Sequence, residues 1–310
     1  MKAVTTFALP EPAVALLSEV ATVAGPEGWG DELGDADALL CLLTDRVDAA
    51  LLERAPRLRV VANAVVGYEH VDVRACAARG IVVTNTPDVL TEATADLTWA
   101  LILATVRRLP QAERSLRAGE FHGWRFWDYL GGDLAGGTLG IFGMGRIGRA
   151  VARRAGGFGM RVVYHSRTRL PAEEEARLGV EPVSFDDLLA RSDVLTLHAP
   201  LTPETRHAIG REALRRMKAG AFLVNTARGA LVDEAALVEA LRGGGLAGAG
   251  LDVYEREPEL APGLLELDDV VLLPHVGSAT RETRTRMAMV AARNVHAVLS
   301  GRPALTPVPS

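Results

Sequence analysis

Thr138-Leu139-Gly140-Ile141-Phe142-Gly143-Met144-Gly145-Arg146-Ile147-Gly148-Arg149-Ala150 decides how this chain is to be read. An apolar run that suits a buried strand passes directly into Gly-x-Gly-x-x-Gly, and the last glycine opens an apolar helical stretch over Ala150–Ala155. In that setting the first glycine makes a tight turn, the second lets a pyrophosphate approach the backbone, and the third lets helix pack on strand. The start of the helix offers unpaired N–H groups and a partial positive charge to phosphates. A lone Gly-x-Gly-x-x-Gly proves little, but a strand before it and a helix after it supply the required context. Gly143, Met144, Gly145, Arg146 and Ile147 are therefore expected to hold a dinucleotide.

Working outward, short apolar, β-branched runs alternate with helical stretches in both directions. Strands are expected at Lys2–Phe7, Ala38–Leu43, Leu58–Ala62 and Ile81–Thr84. A second series is expected at Thr138–Phe142, Arg161–Tyr164, Val194–His198, Ala221–Asn225, Gly248–Val253 and Val270–Leu273. Continuously apolar strands separated by helices indicate parallel sheets covered on both faces, and right-handed crossovers make such sheets doubly wound. Helix starts are marked by Ser184 with Asp187, by Asp233, and by Thr202 before Pro203. Thr91–Leu109 reads as one long helix ended by Pro110, and a second runs from about Thr280 to Leu299. Because a complete βα series lies between these two helices, the expected fold is α/β with two doubly wound domains. A Rossmann cofactor domain, residues 97–275, is inserted in a flavodoxin-like substrate domain, residues 1–96 and 276–310. The segment from Pro303 onward is expected to lie over the surface.

Composition narrows the function classes. The chain has 310 residues, 48% hydrophobic and 24% charged, with a formal net charge of −5. Two domains suit that length, since single cores seldom exceed roughly 250 residues. The arginines are scattered and Lys2 and Lys218 are the only lysines, so there is no basic footprint for nucleic acid. Cys41 and Cys76 form no CxxC pair, so neither a disulfide scaffold nor a metal site is expected. The longest uncharged apolar run, Leu97–Val106, is far shorter than the roughly 20 residues a membrane span needs. Pro10-Glu11-Pro12 interrupts the region where a signal peptide would be apolar, so a cytoplasmic location is expected.

Cofactor type is read at the end of the strand after the glycine turn. An acid there would hold the ribose hydroxyls of NAD and repel a 2′-phosphate. Here Tyr164 is followed by His165-Ser166-Arg167-Thr168-Arg169, with no acid before Glu173. Ser166, Arg167 and Thr168 suit a 2′-phosphate through charge-assisted hydrogen bonds, so NADP is favoured over NAD. The competing reading is a solvated loop that accepts NAD.

Three further segments each follow a strand: Asn225-Thr226-Ala227-Arg228-Gly229, Leu251-Asp252-Val253-Tyr254-Glu255-Arg256-Glu257-Pro258, and Leu273-Pro274-His275-Val276-Gly277-Ser278-Ala279-Thr280. Ligands bind at the carboxyl ends of parallel strands, and an arginine there can clamp a carboxylate and polarise an adjacent carbonyl. Singly, each residue has an ordinary explanation as a surface arginine, a loop histidine or an exposed acid. Their joint appearance after successive strands points to a site.

With these segments the chain resembles the D-isomer-specific 2-hydroxyacid dehydrogenase family over essentially its whole length. The signature stretches are Gly140–Gly148, Leu214–Val232, Leu251–Pro258 and Pro274–Thr280. Within the family the likeness is greatest to glyoxylate and hydroxypyruvate reductases, through Val65-Val66-Gly67-Tyr68, Thr91–Asp96 and the Ser166-Arg167-Thr168 turn. The resemblance implies hydride transfer between a nicotinamide and C2 of a small 2-keto or 2-hydroxy acid. It implies His275 as acid/base with Glu257 as its partner; a carboxylate beside an imidazole favours the charged form. It implies Arg228 as the anchor of the substrate carboxylate and carbonyl, with Val66 and Gly67 as the loop whose N–H groups receive that carboxylate. Asp252 is matched to the carboxamide, Thr226 and Ala227 to the nicotinamide ring, His198, Ala199 and Pro200 to the adenosine–pyrophosphate side, and Gly277 to the cofactor. Glu69-His70 stands where the family commonly has Asp-Asn. Gly123-Trp124-Arg125-Phe126-Trp127 is matched to an arm that pairs subunits, so a homodimer is implied, with Trp127 nearest to a tryptophan that reaches the neighbouring site. Alternatives left open are a phosphoglycerate dehydrogenase-like enzyme and a non-enzymatic, dinucleotide-sensing relative of the C-terminal-binding-protein co-repressors. A formate dehydrogenase is disfavoured, because formate has no C2 carbonyl.

Overall fold

The structure is a computed structural model that describes residues 1–309. It divides into two compact units, one made of Met1–Leu90 with the segment from Ser278 onward, the other of Thr91–Gly277. The first unit contains β1 (Lys2–Thr5), α1 (Glu11–Ser18), β2 (Thr22–Ala24), β3 (Ala38–Cys41), α2 (Ala49–Arg54), β4 (Val60–Asn63), α3 (Val73–Ala78) and β5 (Val82–Thr84). Its sheet is parallel, in the order β2-β1-β3-β4-β5, which is the flavodoxin-like arrangement. Asp48 and Asp72 cap α2 and α3 by accepting the N–H groups of Leu51 and Ala75. The thiols of Cys41 and Cys76 are buried in this unit, and burial pushes that of Cys76 up to about 11, which leaves it inert.

The second unit begins with α4 (Thr91–Val106) and α5 (Leu109–Arg117). The glycine-turn series follows as β6 (Thr138–Phe142), α6 (Arg146–Ala155), β7 (Arg161–His165), α7 (Ala172–Leu178), β8 (Val180–Pro182), α8 (Phe185–Arg191) and β9 (Val194–Leu197). It ends with α9 (Arg211–Arg216), β10 (Ala221–Asn225), α10 (Glu234–Arg242), β11 (Leu246–Leu251) and β12 (Val270–Leu272). The seven strands lie in the order β12-β11-β10-β9-β6-β7-β8, all parallel. Taken from β6 as first strand this is 3-2-1-4-5-6 with one strand added, the Rossmann order. It places the switch point, where such sheets bind ligands, between β6 and β9. The last helix, α11 (Arg281–Leu299), is capped by Thr280 and packs against α1 and β4 of the first unit. No helix among the described residues is long and apolar enough to cross a membrane.

Several expectations need correction. The helix expected over Thr91–Leu109 stops at Val106, because Arg108 turns into a left-handed conformation with φ of 53°. Pro110 does not end it; it sits in the first turn of α5, where the missing N–H of proline costs nothing. The whole of α4 belongs to the second unit, whereas the sequence reading cut the chain at 96/97. The reason is contact: a Cβ at Gly250 would strike Leu101 and the Thr105 hydroxyl, so α4 lies hard against β11. Thr202-Pro203 starts no helix. The Thr205 hydroxyl accepts from the Thr202 N–H and donates to the Pro200 carbonyl, both at 2.7 Å, and ties the segment into turns. Two edge strands, β2 and β8, escaped the reading because three residues are too few to show a period. The C-terminal segment does more than lie over the surface. Thr84 and Pro307 form an antiparallel bridge, and the Val308 N–H donates to the Val83 carbonyl at 2.8 Å, which covers the free edge of β5.

Candidate active site

At the switch point the three glycines have three different surroundings. Gly143 has φ of 98°, and a Cβ there would run into the backbone of His198 and Ala199 after β9. Gly148 backs onto the Gly143 carbonyl with no room for a side chain. Gly145 has open space instead, and it is the cap residue from which the ten-residue α6 rises, followed by Arg146 and Ile147. Tight turn, open approach and close packing are thus divided among the glycines as a pyrophosphate on a helix N-terminus requires, so these residues fit a dinucleotide. Met144 is buried and its carbonyl accepts from Arg149 at 2.9 Å, which steadies the turn from inside. The His198 imidazole is pulled down to about 3 by burial and stays neutral, with Nε2 3.0 Å from the Thr196 hydroxyl. Ala199 is buried against Gly143 and Pro200 is exposed.

The turn after β7 is held from below by a buried acid. The Glu175 carboxylate, in a residue only 7% exposed, accepts the Tyr164 hydroxyl at 2.6 Å and two guanidinium N–H bonds from Arg169 at 2.8 and 2.9 Å. The Leu170 N–H donates to the Tyr164 oxygen at 2.9 Å, closing the loop. Arg169 is therefore committed to the fold. Arg167 and Thr168 remain exposed, with Ser166 half-buried beside them.

The chemistry-bearing segments follow β10, β11 and β12, which are neighbours in the sheet, so their carboxyl ends open side by side. After β10 the Asn225 side chain accepts from the Ala227 N–H at 3.0 Å and donates to the Arg228 carbonyl at 2.8 Å, giving a rigid turn. A Cβ at Gly229 would overlap the Tyr254 carbonyl and the Glu255 nitrogen, so the turn that carries Arg228 lies directly on the segment that carries Glu257. The Tyr254 hydroxyl donates to the Leu273 carbonyl at 2.9 Å and joins that segment to the one after β12. Burial and the charges of Asp252, Glu234 and Glu257 push this phenol up to about 12, so it remains a donor.

Asp252, 1% exposed, accepts the N–H groups of Val276 and Gly277 at 2.7 and 2.8 Å, and its own carbonyl accepts the His275 N–H at 2.9 Å. Burial raises the Asp252 carboxyl and these N–H groups pull against that rise. His275 is thereby held in a left-handed conformation, φ 54°, which a histidine adopts only when its surroundings impose it. Its Nδ1 lies 2.8 Å from the Glu257 carboxylate, the two side chains being 31% and 29% exposed. The Tyr254 N–H donates to the other Glu257 oxygen at 3.0 Å. Burial works to raise Glu257, but the bonds from His275 and Tyr254 and the positive charge of Arg228 outweigh it and hold the carboxyl below its ordinary value. An imidazole oriented by a carboxylate, with a guanidinium charge beside them, can exchange a proton with an oxygen anchored by that guanidinium.

Val66 and Gly67 lie in the first unit, after β4. Asn85 donates to the Val66 carbonyl at 2.8 Å and Asn63 to the Gly67 carbonyl at 2.7 Å, so this loop too has a fixed backbone.

Sequence reasoning missed the supporting residues. Glu175 sits in a run of three glutamates, and only the phase of α7 shows which one is buried. Thr94 and Thr98, one helical turn apart on α4, reach the site from behind. The Thr98 and Thr226 hydroxyls are 2.8 Å apart, and the Thr94 hydroxyl donates to the Gly277 carbonyl at 3.2 Å. Threonines spaced by four on one face of the helix, Thr94 and Thr98, were the available signal.

Comparison with known proteins agrees with this geometry. Residues 99–277 match the profile of the D-isomer specific 2-hydroxyacid dehydrogenase NAD-binding domain. The chain is 55% identical over 274 residues to a glyoxylate reductase of Aeropyrum pernix, covering 86% of this chain and 81% of that protein. A solved structure of a Thermus thermophilus protein superposes with a TM-score of 0.93 at 49% identity, covering 100% of both chains. The NADPH-dependent glyoxylate/hydroxypyruvate reductase of Sinorhizobium meliloti, solved with NADP and malonate, superposes at 0.87 with 38% identity, covering 99% of this chain and 96% of that one. With its Rossmann order, its glycine turn and these relatives, the chain belongs to the D-isomer specific 2-hydroxyacid dehydrogenase family.

Proposed function

We propose that the chain reduces glyoxylate or hydroxypyruvate, giving glycolate or D-glycerate, with NADPH as the preferred reductant. The observation that carries this reading is the 2.8 Å contact between His275 Nδ1 and Glu257, with the charge of Arg228 acting on the same carboxylate. Because Nδ1 faces Glu257, Nε2 is the nitrogen that hands a proton to the substrate's carbonyl oxygen. A nicotinamide dinucleotide held at Gly143, Met144, Gly145, Arg146 and Ile147 would supply the hydride for C2, giving the 2-hydroxy acid and the oxidised dinucleotide. Arg228 holds the substrate carboxylate and polarises its carbonyl. Val66 and Gly67 are assigned to the same carboxylate on the likeness of their loop alone. The known activity of the relatives supports glyoxylate or hydroxypyruvate as substrate. A panel of glyoxylate, hydroxypyruvate, pyruvate and phosphohydroxypyruvate, each with NADPH and NADH, tests the reading. Glyoxylate or hydroxypyruvate should give the highest kcat/KM. A preference for phosphohydroxypyruvate would transfer the assignment to a phosphoglycerate dehydrogenase, and no turnover with any of the four would leave a dinucleotide-binding role.

The preference for NADPH rests on Arg167. With Arg169 committed to Glu175, Arg167 is the arginine of this turn left for a 2′-phosphate, flanked by the hydroxyls of Ser166 and Thr168. Arg167→Asp removes a charge-assisted bond and places a like charge against the phosphate. The ratio of kcat/KM for NADPH to that for NADH should fall roughly a hundredfold. An unchanged ratio means that the turn does not read the phosphate.

The homodimer of this reading is placed on the segment after α5. Phe121, Trp124, Phe126 and Trp127 are all more than half exposed, with Leu116 and Leu130 near them in sequence. Phe126 lies edge-on to both Trp124 and Trp127. Apolar area this concentrated on a surface marks an interaction site. Sedimentation should show a dimer for the wild type and a monomer after Trp124→Arg with Trp127→Arg; a monomeric wild type would remove the assignment.

A further inference from the structure

We infer that Thr98, on the far side of the site from any ligand, fixes the direction of the Thr226 hydroxyl proton and so makes Thr226 an acceptor-only contact for the cofactor's carboxamide. The inference rests on the reading that the end of β10 faces a nicotinamide.

A hydroxyl has one proton and two lone pairs. Thr98 is fully buried, and its oxygen lies 2.8 Å from the Thr94 carbonyl, one turn back on the same helix. A carbonyl oxygen has only lone pairs to offer, so at that distance the Thr98 proton must lie between them. The same Thr98 oxygen is 2.8 Å from the Thr226 oxygen, where either atom is able to donate in principle. With the Thr98 proton already used, Thr226 is the donor. Its single proton points inward to α4, and only lone pairs face the carboxyl end of β10.

The rest of the loop is held so that this polarity cannot relax. The Thr226 turn is braced by Asn225 on its own strand. Gly277 is held at both ends, its carbonyl by the Thr94 hydroxyl and its N–H by Asp252. Thr226 and Asp252 therefore present acceptors, which suits an amide NH2 and opposes a carbonyl oxygen turned the same way. Hydrogen-bond polarity, rather than shape, then sets the rotation of the carboxamide.

The test uses the full chain and dissociation constants measured by quenching of tryptophan fluorescence, for NADPH and for its 3-acetylpyridine analogue. That analogue replaces the NH2 by a methyl group and has no N–H to donate. Wild type should bind NADPH about tenfold more tightly than the analogue, the loss from one unmade bond with a buried partner. Thr98→Val keeps the shape but removes the acceptor for the Thr226 proton, which then turns outward and donates to the acetyl carbonyl. The preference should shrink to about twofold, and Thr98→Ser should restore it. Thr98→Ala, smaller than the native residue, gives the same readout if the valine variant does not fold. A purely structural role for Thr98 would lower thermal stability and leave the ratio of the two constants where it was. An unchanged ratio in Thr98→Val or Thr98→Ala, or a serine variant that fails to restore it, overturns the inference while NADPH binding keeps the functional reading intact. A wild type that binds neither dinucleotide overturns both.

Discussion

His275→Gln lowers kcat for 2-keto acid reduction by about three orders of magnitude and leaves the dissociation constant for NADPH within a few-fold of wild type. The two quantities separate because they depend on different parts of one sheet. On the proposed reading, dinucleotide affinity is set at the switch point, by the open face of Gly145, the start of α6 and the turn after β7. Proton delivery is assigned, on the same reading, to the far end of the sheet, where Asp252 fixes the backbone after β12 and Glu257 contacts the His275 ring. Glutamine fills most of the same space but has no acidic proton to give. Glu257→Gln is the informative partner. Its amide oxygen still accepts from Nδ1, so the ring stays oriented, but the negative charge beside the ring is lost. Reduction should fall roughly ten- to a hundredfold. Glu257 is held below its ordinary value of 4.5, so the wild-type pair persists as pH falls through that value and is lost only at lower pH. Stopped-flow rates and steady-state pH profiles of the three proteins check the loss of rate and the acid limit. A His275→Gln enzyme that keeps more than a tenth of wild-type kcat ends the assignment of the acid.

What was legible in the sequence was whatever depends on near neighbours. The Gly-x-Gly-x-x-Gly turn is written in one strand and one helix, so its setting is visible without coordinates. The ends of β10, β11 and β12 were legible because buried parallel strands are continuously apolar and stop abruptly at polar residues. The meeting of His275 and Glu257 was not, since it depends on the register of β11 against β12 and on Tyr254 tying the two loops together. The reach of α4 into the site was invisible for a related reason. Thr98 looks like a core threonine until the crossing of α4 over β10 and β11 places it against Thr226. The division of labour between Arg167 and Arg169 was equally hidden, because only the helical phase of α7 turns Glu175 inward to claim Arg169. The break at Arg108 did have a signal, since the apolar stretch stops at Val106 before Arg107 and Arg108, but the nearby proline drew the boundary to the wrong place.

Arg228→Ala should lower kcat/KM for glyoxylate about a thousandfold, through a higher KM and a lower kcat together, because one guanidinium both anchors the carboxylate and polarises the carbonyl. The loss is confined to the side chain. The backbone of this turn is held chiefly by Asn225 and by the contact of Gly229 with Tyr254, and the guanidinium adds one bond to the Ala227 carbonyl at 2.7 Å, so the melting temperature should fall only slightly. Arg228→Lys restores the charge without the planar fork and should recover about a tenth of the lost efficiency. The substitution also carries a marker of position. The charge of Arg228 helps to hold Glu257 low, so without it the acid limit of the pH profile should move upward, towards the ordinary carboxylate value. Gly229→Ala makes the opposite separation. Its Cβ would overlap the Tyr254 carbonyl, so the two loops must part, and the variant should lose thermal stability and activity while keeping Arg228. If Arg228→Ala instead behaves like Gly229→Ala, melting early and losing activity in proportion, the arginine is a structural strut and the anchor must be sought elsewhere. If it melts normally, keeps its kcat/KM and shows no change in the acid limit, the guanidinium acts neither on substrate nor on Glu257.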